Sequence, residues 1–279
     1  MRDVSVLIAV RGVLGGLAAL AVSLIAWRGR ALGRSGVVAA SFCGLLASIG
    51  GWQWAILLVV YFVGATLVSR AARADSVAAV ERIVAKGGRR DAIQVIANGG
   101  LFSVAAALTT VVPNAVLAAA ALGALAASSA DSWATEIGTR LGGRPRLITS
   151  GVLVAAGQSG GVTAAGLVGA LAGAVLVGTT ANALGFPRGL VLASIPAGLA
   201  GSLIDSLLGA TVQERRWCDR CGEPTERTVH CCGSPARIVG GIRQLDNDVV
   251  NILSTAAGFL AAMIIYGSMV KSGSWGAID

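Results

Sequence analysis

The amino-acid sequence predicts an all-α fold: a polytopic membrane bundle of about eight transmembrane helices with a small cytoplasmic zinc-bound loop. Composition leads to this prediction. Hydrophobic residues make up 55% of the 279 residues, and only 13% are charged, whereas charged residues make up about a quarter of a soluble domain. The apolar runs are also too long for the core helices of a soluble protein. We therefore interpret residues 1–279 as a single integral membrane domain, with residues 211–248 inserted in it.

Eight apolar segments, separated by turns or charged loops, are the candidate spans. They cover residues 4–27, 36–49, 52–69, 92–111, 115–137, 162–184, 188–210 and 249–270. The second segment is the shortest, at about 14 residues, so it is either a span or a re-entrant or tilted element. Glycine or proline marks the short turns at 50–51, 112–114 and 185–187.

The basic residues predict how the spans are oriented. Eighteen of the 22 lie in alternate connections, at 28–34, 70–90, 139–150 and 211–248, and the short turns between these loops contain none. Lys and Arg accumulate in cytoplasmic loops, so we expect these four loops in the cytoplasm and both termini outside the cell membrane. The same bias explains the pI of about 10.1 without nucleic-acid binding, which we do not expect.

Carboxylates within the apolar segments are the first candidates for chemistry, because a charge in a membrane interior needs a partner, a cation or water. Asp131 and Glu136 lie in SSADSWATEIG (128–138), Asp205 lies near the end of the seventh segment, and Asp246 precedes the last one. The predicted topology places all four near the cytoplasmic face. On a helix, side chains five residues apart diverge by about 140°. One cation bound to Asp131 or Glu136 therefore needs a carboxylate from another segment.

Alternative interpretations of these residues remain open. The carboxylates either form ion pairs with loop arginines or bind Mg²⁺, which prefers oxygen ligands and shares phosphate oxygens with a substrate. Asp248 or Asn247 is also a natural N-cap for the last helix. Small residues such as Ser128 and Ser202 are explained equally well by helix packing.

A glycine-rich turn precedes the sixth apolar segment. It contains Gly157, Ser159, Gly160 and Gly161 and is followed by Thr163. Backbone N–H groups in such a turn, at the positive end of a helix, bind anions. No Gly-Lys-Ser/Thr follows, so the turn is not a Walker A loop. It is either a phosphate-binding turn or a flexible connection.

Cysteine and histidine spacing predicts a metal site in the loop before the last span. Cys218 and Cys221 form a CxxC pair, and the chain's only histidine, His230, is followed by Cys231 and Cys232. The CxxC pair, the histidine and either Cys231 or Cys232 supply the four ligands of a tetrahedral structural Zn²⁺. The loop is predicted to be cytoplasmic, where stable disulfides are disfavoured, which favours zinc. A redox-active CxxC is the alternative.

These stretches in combination resemble a family of integral membrane proteins that includes transmembrane protein 19 and the plant phytyl-phosphate kinase of tocopherol synthesis. The matching stretches are QVIANGG (94–100), SSADSWATEIG (128–138), RPRLITS with GQSGGVT (144–163), GSLIDSLLGATVQ (201–213), CDRCG with HCCG (218–233) and DNDVVNILS (246–254). The resemblance covers most of the chain after residue 90.

The resemblance implies a kinase that transfers the γ-phosphoryl group of CTP or ATP to a prenyl or phytyl monophosphate lipid, giving the diphosphate. It implies Asp131, Glu136, Asp205 and Asp246 as catalytic residues and Mg²⁺ ligands. The implied nucleotide-binding residues are Asn98, Arg144, Arg146, Thr149, Gly157, Ser159, Gly160, Gly161, Thr163, Asn247 and Asn251. Arg144 and Arg146, with Lys86 or Arg90, would neutralise charge on the phosphates.

A cation- or proton-coupled transporter is the alternative function, because intramembrane carboxylates and internal repeats are typical of transporters. Ser128-x-x-Asp131-Ser132 does match Ser202-x-x-Asp205-Ser206. However, the carboxylates are predicted near one membrane face rather than at the midplane, and the repeat is parallel rather than inverted. Both features favour the kinase.

Overall fold

The computed structural model describes residues 2–75 and 88–272, and within them the chain forms eight α-helices. These are α1 (Arg2–Arg28), α2 (Arg34–Gly50), α3 (Trp52–Asp75), α4 (Ala92–Leu108), α5 (Ala115–Leu141), α6 (Ala164–Ala183), α7 (Arg188–Thr211) and α8 (Asn247–Lys271). Each predicted apolar segment corresponds to one helix, so the prediction of a helical membrane bundle is confirmed. Six of the helices, all except α2 and α4, are long and apolar enough to cross a membrane.

The two shorter helices, α2 and α4, have 17 residues each and pack against one another. At 1.5 Å per residue each is about 26 Å long, slightly less than the hydrocarbon thickness of about 30 Å. A β-bridge between Leu32 and Arg90 joins their beginnings. At their ends, the Thr110 hydroxyl donates to the Ile49 carbonyl at 3.0 Å. The two helices therefore run parallel and begin and end at the same level.

The fourth apolar segment is shorter than its sequence predicts, because α4 ends at Leu108 rather than at residue 111. The Thr109 side chain closes the helix by donating to the Ala106 carbonyl at 2.6 Å. Val111 and Val112 then lie exposed in the turn before Pro113, which cannot continue a helix. The apolar composition of this segment does not by itself show where helix α4 ends.

Helix α5 forms the centre of the bundle and packs against α3, α4, α6, α7 and α8. Its residues 119–130 are all buried, and most of them are alanines. Small residues allow its neighbours to approach closely. A Cβ atom on Gly173 of α6, for example, would lie 2.5 Å from the Ser129 carbonyl oxygen. This tight packing fixes the helices that carry Asp131 and Asp205.

Two loops contain short β-strands, which the sequence did not predict. In the α5–α6 loop, β1 (Arg146–Leu147) pairs antiparallel with β2 (Gly161–Val162). The α7–α8 loop contains β3 (Arg215–Cys218), β4 (Glu223–Thr225) and β5 (Arg237–Gly240), which form an antiparallel sheet in the order β4-β3-β5. These sheets give both loops a fixed shape beyond the helix ends.

Glu214 closes the α7–α8 loop at its base. Its N–H donates to the Leu245 carbonyl at 2.8 Å, and its carboxylate accepts from the Gln244 N–H at 2.9 Å. Arg216 donates to the same carboxylate at 2.6 Å. Burial raises the pKa of Glu214, but the hydrogen bonds from Gln244 and Arg216 outweigh burial and lower it overall. The two ends of the loop are therefore held together.

Candidate functional site

A polar cavity of about 280 Å³ lies where α4, α5, α6, α7 and α8 meet the two structured loops. Asp131 and Glu136 of α5 and Asp205 of α7 all line it. Asn98, Asn247 and Asn251 line it as well. The structure therefore brings three of the four sequence-predicted carboxylates, from two different helices, into one cavity.

The carboxylate of Asp205 is buried beside other carboxylates. Its Oδ2 atom is buried and has no hydrogen-bond partner in the described part of the chain, and its carboxylate neighbours are Asp131 and Glu226. A buried carboxylate oxygen without a donor is costly. Several carboxylate oxygens facing one small cavity are the donor set that Mg²⁺ prefers. The residues present thus fit this cation.

Asp246, the fourth predicted carboxylate, does not line the cavity. It is the N-cap of α8, where its Oδ1 atom accepts hydrogen bonds from the N–H groups of Asp248 and Val249, each at 3.1 Å. The sequence had pointed to Asp248 or Asn247 as the cap, and this was wrong by one or two residues. The Asp246 cap fixes the first turn of α8, which presents Asn247 and Asn251 to the cavity.

The glycine-rich turn forms part of the wall of the cavity. Gly157, Ser159, Gly160 and Gly161 all line it, and so does Thr163. Gly160 has a φ of +80°, and a Cβ atom there would lie 2.5 Å from the backbone nitrogen of Ala210. Only glycine therefore lets the turn rest against the end of α7.

The N-terminus of α6 also reaches the cavity. Thr163 caps this helix by accepting from the Gly166 N–H at 2.9 Å, and both residues line the cavity. The free N–H groups of a first helical turn and the helix dipole favour bound anions. The cavity thus contains carboxylates together with a glycine-rich turn and a helix N-terminus.

Of the basic residues predicted to neutralise phosphate charge, Arg90 is the one that lines this cavity within the described part of the chain. Arg144, Arg146 and Thr149 belong to the β1 region of the α5–α6 loop and do not line the cavity. Arg146 instead donates to the Gly151 carbonyl at 2.8 Å within its own hairpin. Arg90, at the beginning of α4, does line the cavity. Lys86 lies outside the described residues.

Glu226 is a cavity residue that the sequence analysis missed. It lies in the α7–α8 loop just after β4, and its Oε1 atom accepts hydrogen bonds from the Ser159 hydroxyl and from Gln213 Nε2, the latter at 3.2 Å. It lines the polar cavity together with Asp205. No local pattern marks Glu226, because its position depends on how the loop folds back over the glycine-rich turn.

The Cys/His cluster forms in the same loop. The ligand atoms of Cys218, Cys221, His230 and Cys232 all lie within 4.8 Å of one another. The sulfurs of Cys218 and Cys232 are 3.6 Å apart. Two sulfurs of a tetrahedral zinc site with Zn–S bonds of about 2.3 Å are about 3.8 Å apart. The cluster can therefore hold a metal such as zinc, and Cys232 rather than Cys231 is its fourth member.

The two ring nitrogens of His230 face different partners. Nδ1 lies 3.4 Å from the Cys232 sulfur, and Nε2 lies 3.3 Å from the Glu223 carboxylate. A carboxylate behind a ligating imidazole is a common device for fixing its orientation. The hydrogen bond with His230 lowers the pKa of Cys232 to about 5, whereas hydrogen bonding with Cys232 raises the pKa of Cys221 to about 12.

Comparison with known proteins identifies the family. The family model described as "Integral membrane protein DUF92" matches residues 17–259. The chain belongs to the DUF92 family of integral membrane proteins. It is 30% identical over 261 residues to Protein PGR of Arabidopsis thaliana, covering 83% of this chain and 89% of that protein. It is 27% identical over 249 residues to the uncharacterized membrane protein MJ0933 of Methanocaldococcus jannaschii, covering 88% and 90%.

Membership of the DUF92 family confirms the resemblance found in the sequence motifs. The matched range contains both the polar cavity and the Cys/His cluster, so both features lie within the part of the chain shared with the family. No solved structure matches this chain. What this DUF92 protein does must therefore be argued from the chemistry of its cavity.

Proposed function

We propose that this protein is a membrane kinase that transfers the γ-phosphoryl group of CTP or ATP to a prenyl or phytyl monophosphate, with its active site facing the cytoplasm. One observation carries the proposal. A single cavity among apolar helices combines Asp131 and Asp205 with a glycine-rich turn at a helix N-terminus and with Arg90. A phosphoryl transfer between a water-soluble donor and a membrane-bound acceptor needs this combination.

The reaction places modest demands on the protein. An oxygen of the lipid phosphate forms a bond to the γ-phosphorus, while the bond between that phosphorus and the β–γ bridging oxygen breaks. The products are the nucleoside diphosphate and the lipid diphosphate. The acceptor oxygen already carries negative charge near neutral pH, since the second pKa of a phosphate monoester is about 6, so no strong base is required. Positioning and charge neutralisation supply the catalysis.

The cavity residues divide between these tasks. Asp131 and Asp205 would hold Mg²⁺, with Glu136 nearby in the same cavity. The ion would neutralise charge on the donor phosphates. The N–H groups of Gly157, Ser159 and Gly160 and the first turn of α6 bind the donor phosphate oxygens. Arg90 binds the acceptor phosphate. Asp246 keeps Asn247 and Asn251 in place through its cap on α8.

The direct test uses the purified protein in lipid nanodiscs. Incubation with Mg²⁺, CTP or ATP and geranylgeranyl or phytyl monophosphate should give the diphosphate, detected by mass spectrometry. Asp131→Asn and Asp205→Asn should each lower kcat by roughly 100-fold or more, as expected for the loss of a group that stabilises transition-state charge. Asp219→Asn is the matched control, because Asp219 is exposed, pairs with Arg237 and does not line the cavity.

Two outcomes would contradict this proposal in different ways. Absence of product with either nucleotide, together with ion flux across proteoliposomes, would point to the transporter instead. Full activity of Asp205→Asn would remove that residue from the Mg²⁺ site while leaving the kinase reaction in place. Expression and monodispersity of each variant show whether a loss of turnover reflects the site or the fold.

A further inference from the structure

A second cavity, of about 240 Å³, lies among α1, α2, α3 and α4, beside the polar one. Most of its wall is aliphatic or aromatic, with Val22, Ile56 and Phe62 among the lining residues. The hydroxyl of Ser48, which also lines it, is already bonded to the Gly44 carbonyl at 2.7 Å. This cavity therefore offers an apolar ligand a surface with few unsatisfied polar groups.

The two cavities meet at three residues, Arg90, Gln94 and Asn98, which line both of them. Arg90 is held in place here. Its Nη1 atom donates to the Thr66 hydroxyl at 3.1 Å, and its guanidinium lies 5.5 Å from the centroid of the Phe62 ring. A fixed positive charge thus stands at the boundary between a polar chamber and an apolar one.

The apolar cavity also has a side that faces lipid. In the described part of the chain, α1 packs chiefly on α2 and makes little contact with α3, although both helices line the cavity. Exposed apolar side chains such as Leu17 cover the outer surface of α1. An apolar chain can therefore enter sideways between α1 and α3 without leaving an apolar environment.

We infer that the apolar cavity holds the hydrocarbon chain of the acceptor, with its phosphate at Arg90 and pointing into the polar cavity. The identity of the headgroup rests on the proposed function, whereas the place of the chain rests on the two adjoining cavities. Lipid tails are as apolar as the cavity wall, so the wall contributes through packing rather than through the hydrophobic effect. A chain held between the helices fixes the depth and direction of the phosphate, which lowers the entropic cost of the reaction.

Side chains that fill the apolar cavity should weaken the binding of long-chain lipid phosphates more than that of short-chain ones. Ala40 of α2 and Ala55 of α3 line the cavity, and each is changed to Phe. Val38→Phe and Val63→Phe are the matched controls on the same two helices, since these residues are 71% and 45% exposed and line neither cavity. Ala40→Leu and Ala55→Leu serve as milder variants if a Phe variant does not fold.

Binding is measured by titration calorimetry in nanodiscs without nucleotide, using geranylgeranyl monophosphate, dimethylallyl monophosphate and inorganic phosphate. A phenyl ring in the cavity displaces part of a long chain, and the expected effect is a roughly tenfold loss of affinity, about 1.4 kcal/mol. We expect this loss in the cavity variants for geranylgeranyl monophosphate. The affinity for dimethylallyl monophosphate, whose chain is too short to fill the cavity, should change by less than about twofold. The control variants should bind like the wild type.

The results separate this inference from the proposed kinase activity. Cavity variants that bind all ligands like the wild type, or that lose the long and short ligands equally, would overturn the placement of the chain. Inorganic phosphate that binds as tightly as geranylgeranyl monophosphate would overturn it too. Selective loss of long-chain binding in a protein that forms no diphosphate would support the chain site and contradict the kinase.

Discussion

At the scale of single residues, Cys231 and Cys232 are neighbours with different surroundings. The Cys232 sulfur lies near both Cys218 and His230, whereas Cys231 is exposed and its sulfur lies 3.6 Å from His230 Nε2. We expect Cys232→Ser and Cys218→Ser to lose about one equivalent of zinc per chain, because a tetrahedral structural site needs all four ligands. Cys231→Ser, the matched control, should retain it. Metal analysis of the purified proteins by mass spectrometry measures this difference.

A different pattern of zinc loss would contradict the geometry. If Cys231→Ser lost as much zinc as Cys232→Ser, the fourth ligand would not be fixed as the structure places it. Wild-type protein without zinc would contradict the site as a whole. The sequence could not choose between the two cysteines because both directly follow His230. The choice depends on the turn at Cys231–Gly233, where the His230 carbonyl accepts from the Gly233 N–H at 2.8 Å.

At the scale of elements, the α7–α8 loop connects the Cys/His cluster to the polar cavity. Glu226 follows β4 and accepts hydrogen bonds from Ser159 of the glycine-rich turn and from Gln213. Glu226→Ala should therefore release that turn and raise the KM for the nucleotide about tenfold, the effect of losing roughly 1.4 kcal/mol of binding. Because the Mg²⁺ ligands stay in place, kcat should change less than KM. Steady-state kinetics at saturating lipid phosphate measures both.

Two further variants show whether Glu226 positions the glycine-rich turn or is needed for the loop to fold. Glu226→Gln keeps an oxygen that accepts from Ser159, so it should restore most of the nucleotide affinity. Asp219→Ala, which removes an exposed carboxylate from the same loop, should leave KM unchanged. If Glu226→Ala instead lost its zinc, the residue would support the fold of the loop rather than the turn.

The sequence predicted helices well because long apolar runs in a membrane have little alternative to the α-helix. It predicted loops poorly. Arg144 and Arg146 lie close in sequence to the glycine-rich turn, but the β1–β2 pairing directs the glycine-rich turn, and not these arginines, to the cavity. Glu226 reaches the cavity from a distant part of the chain, through contacts that no local pattern encodes. Sequence therefore pointed to the carboxylates of α5 and α7 that line the cavity, but not to Glu226, which lines it with them.

At the scale of the whole molecule, the connections rich in basic residues meet at one end of the bundle. Leu32 and Arg90 join the first two of these loops, and Ser159 and Glu226 join the other two. The short turns gather at the opposite end, where the rings of Trp54 and Phe186 are 4.7 Å apart. The basic loops and the short turns therefore lie at opposite ends of the bundle. The positive-inside rule predicts that the basic end lies in the cytoplasm.

This orientation predicts which cysteines react from each side of the membrane. Cys231 is exposed at the basic end and lies outside the metal cluster, and Val112 is 52% exposed in a turn at the other end. A membrane-impermeant maleimide should label Val112→Cys in intact cells, in a Cys231→Ser background, and should not label the wild type there. In inverted membrane vesicles the wild type should react, and the Val112→Cys, Cys231→Ser protein should not. Labelling of Cys231 in intact cells would place the polar cavity on the outer face, where no supply of nucleotide triphosphate is expected. That result would contradict both the orientation and the kinase.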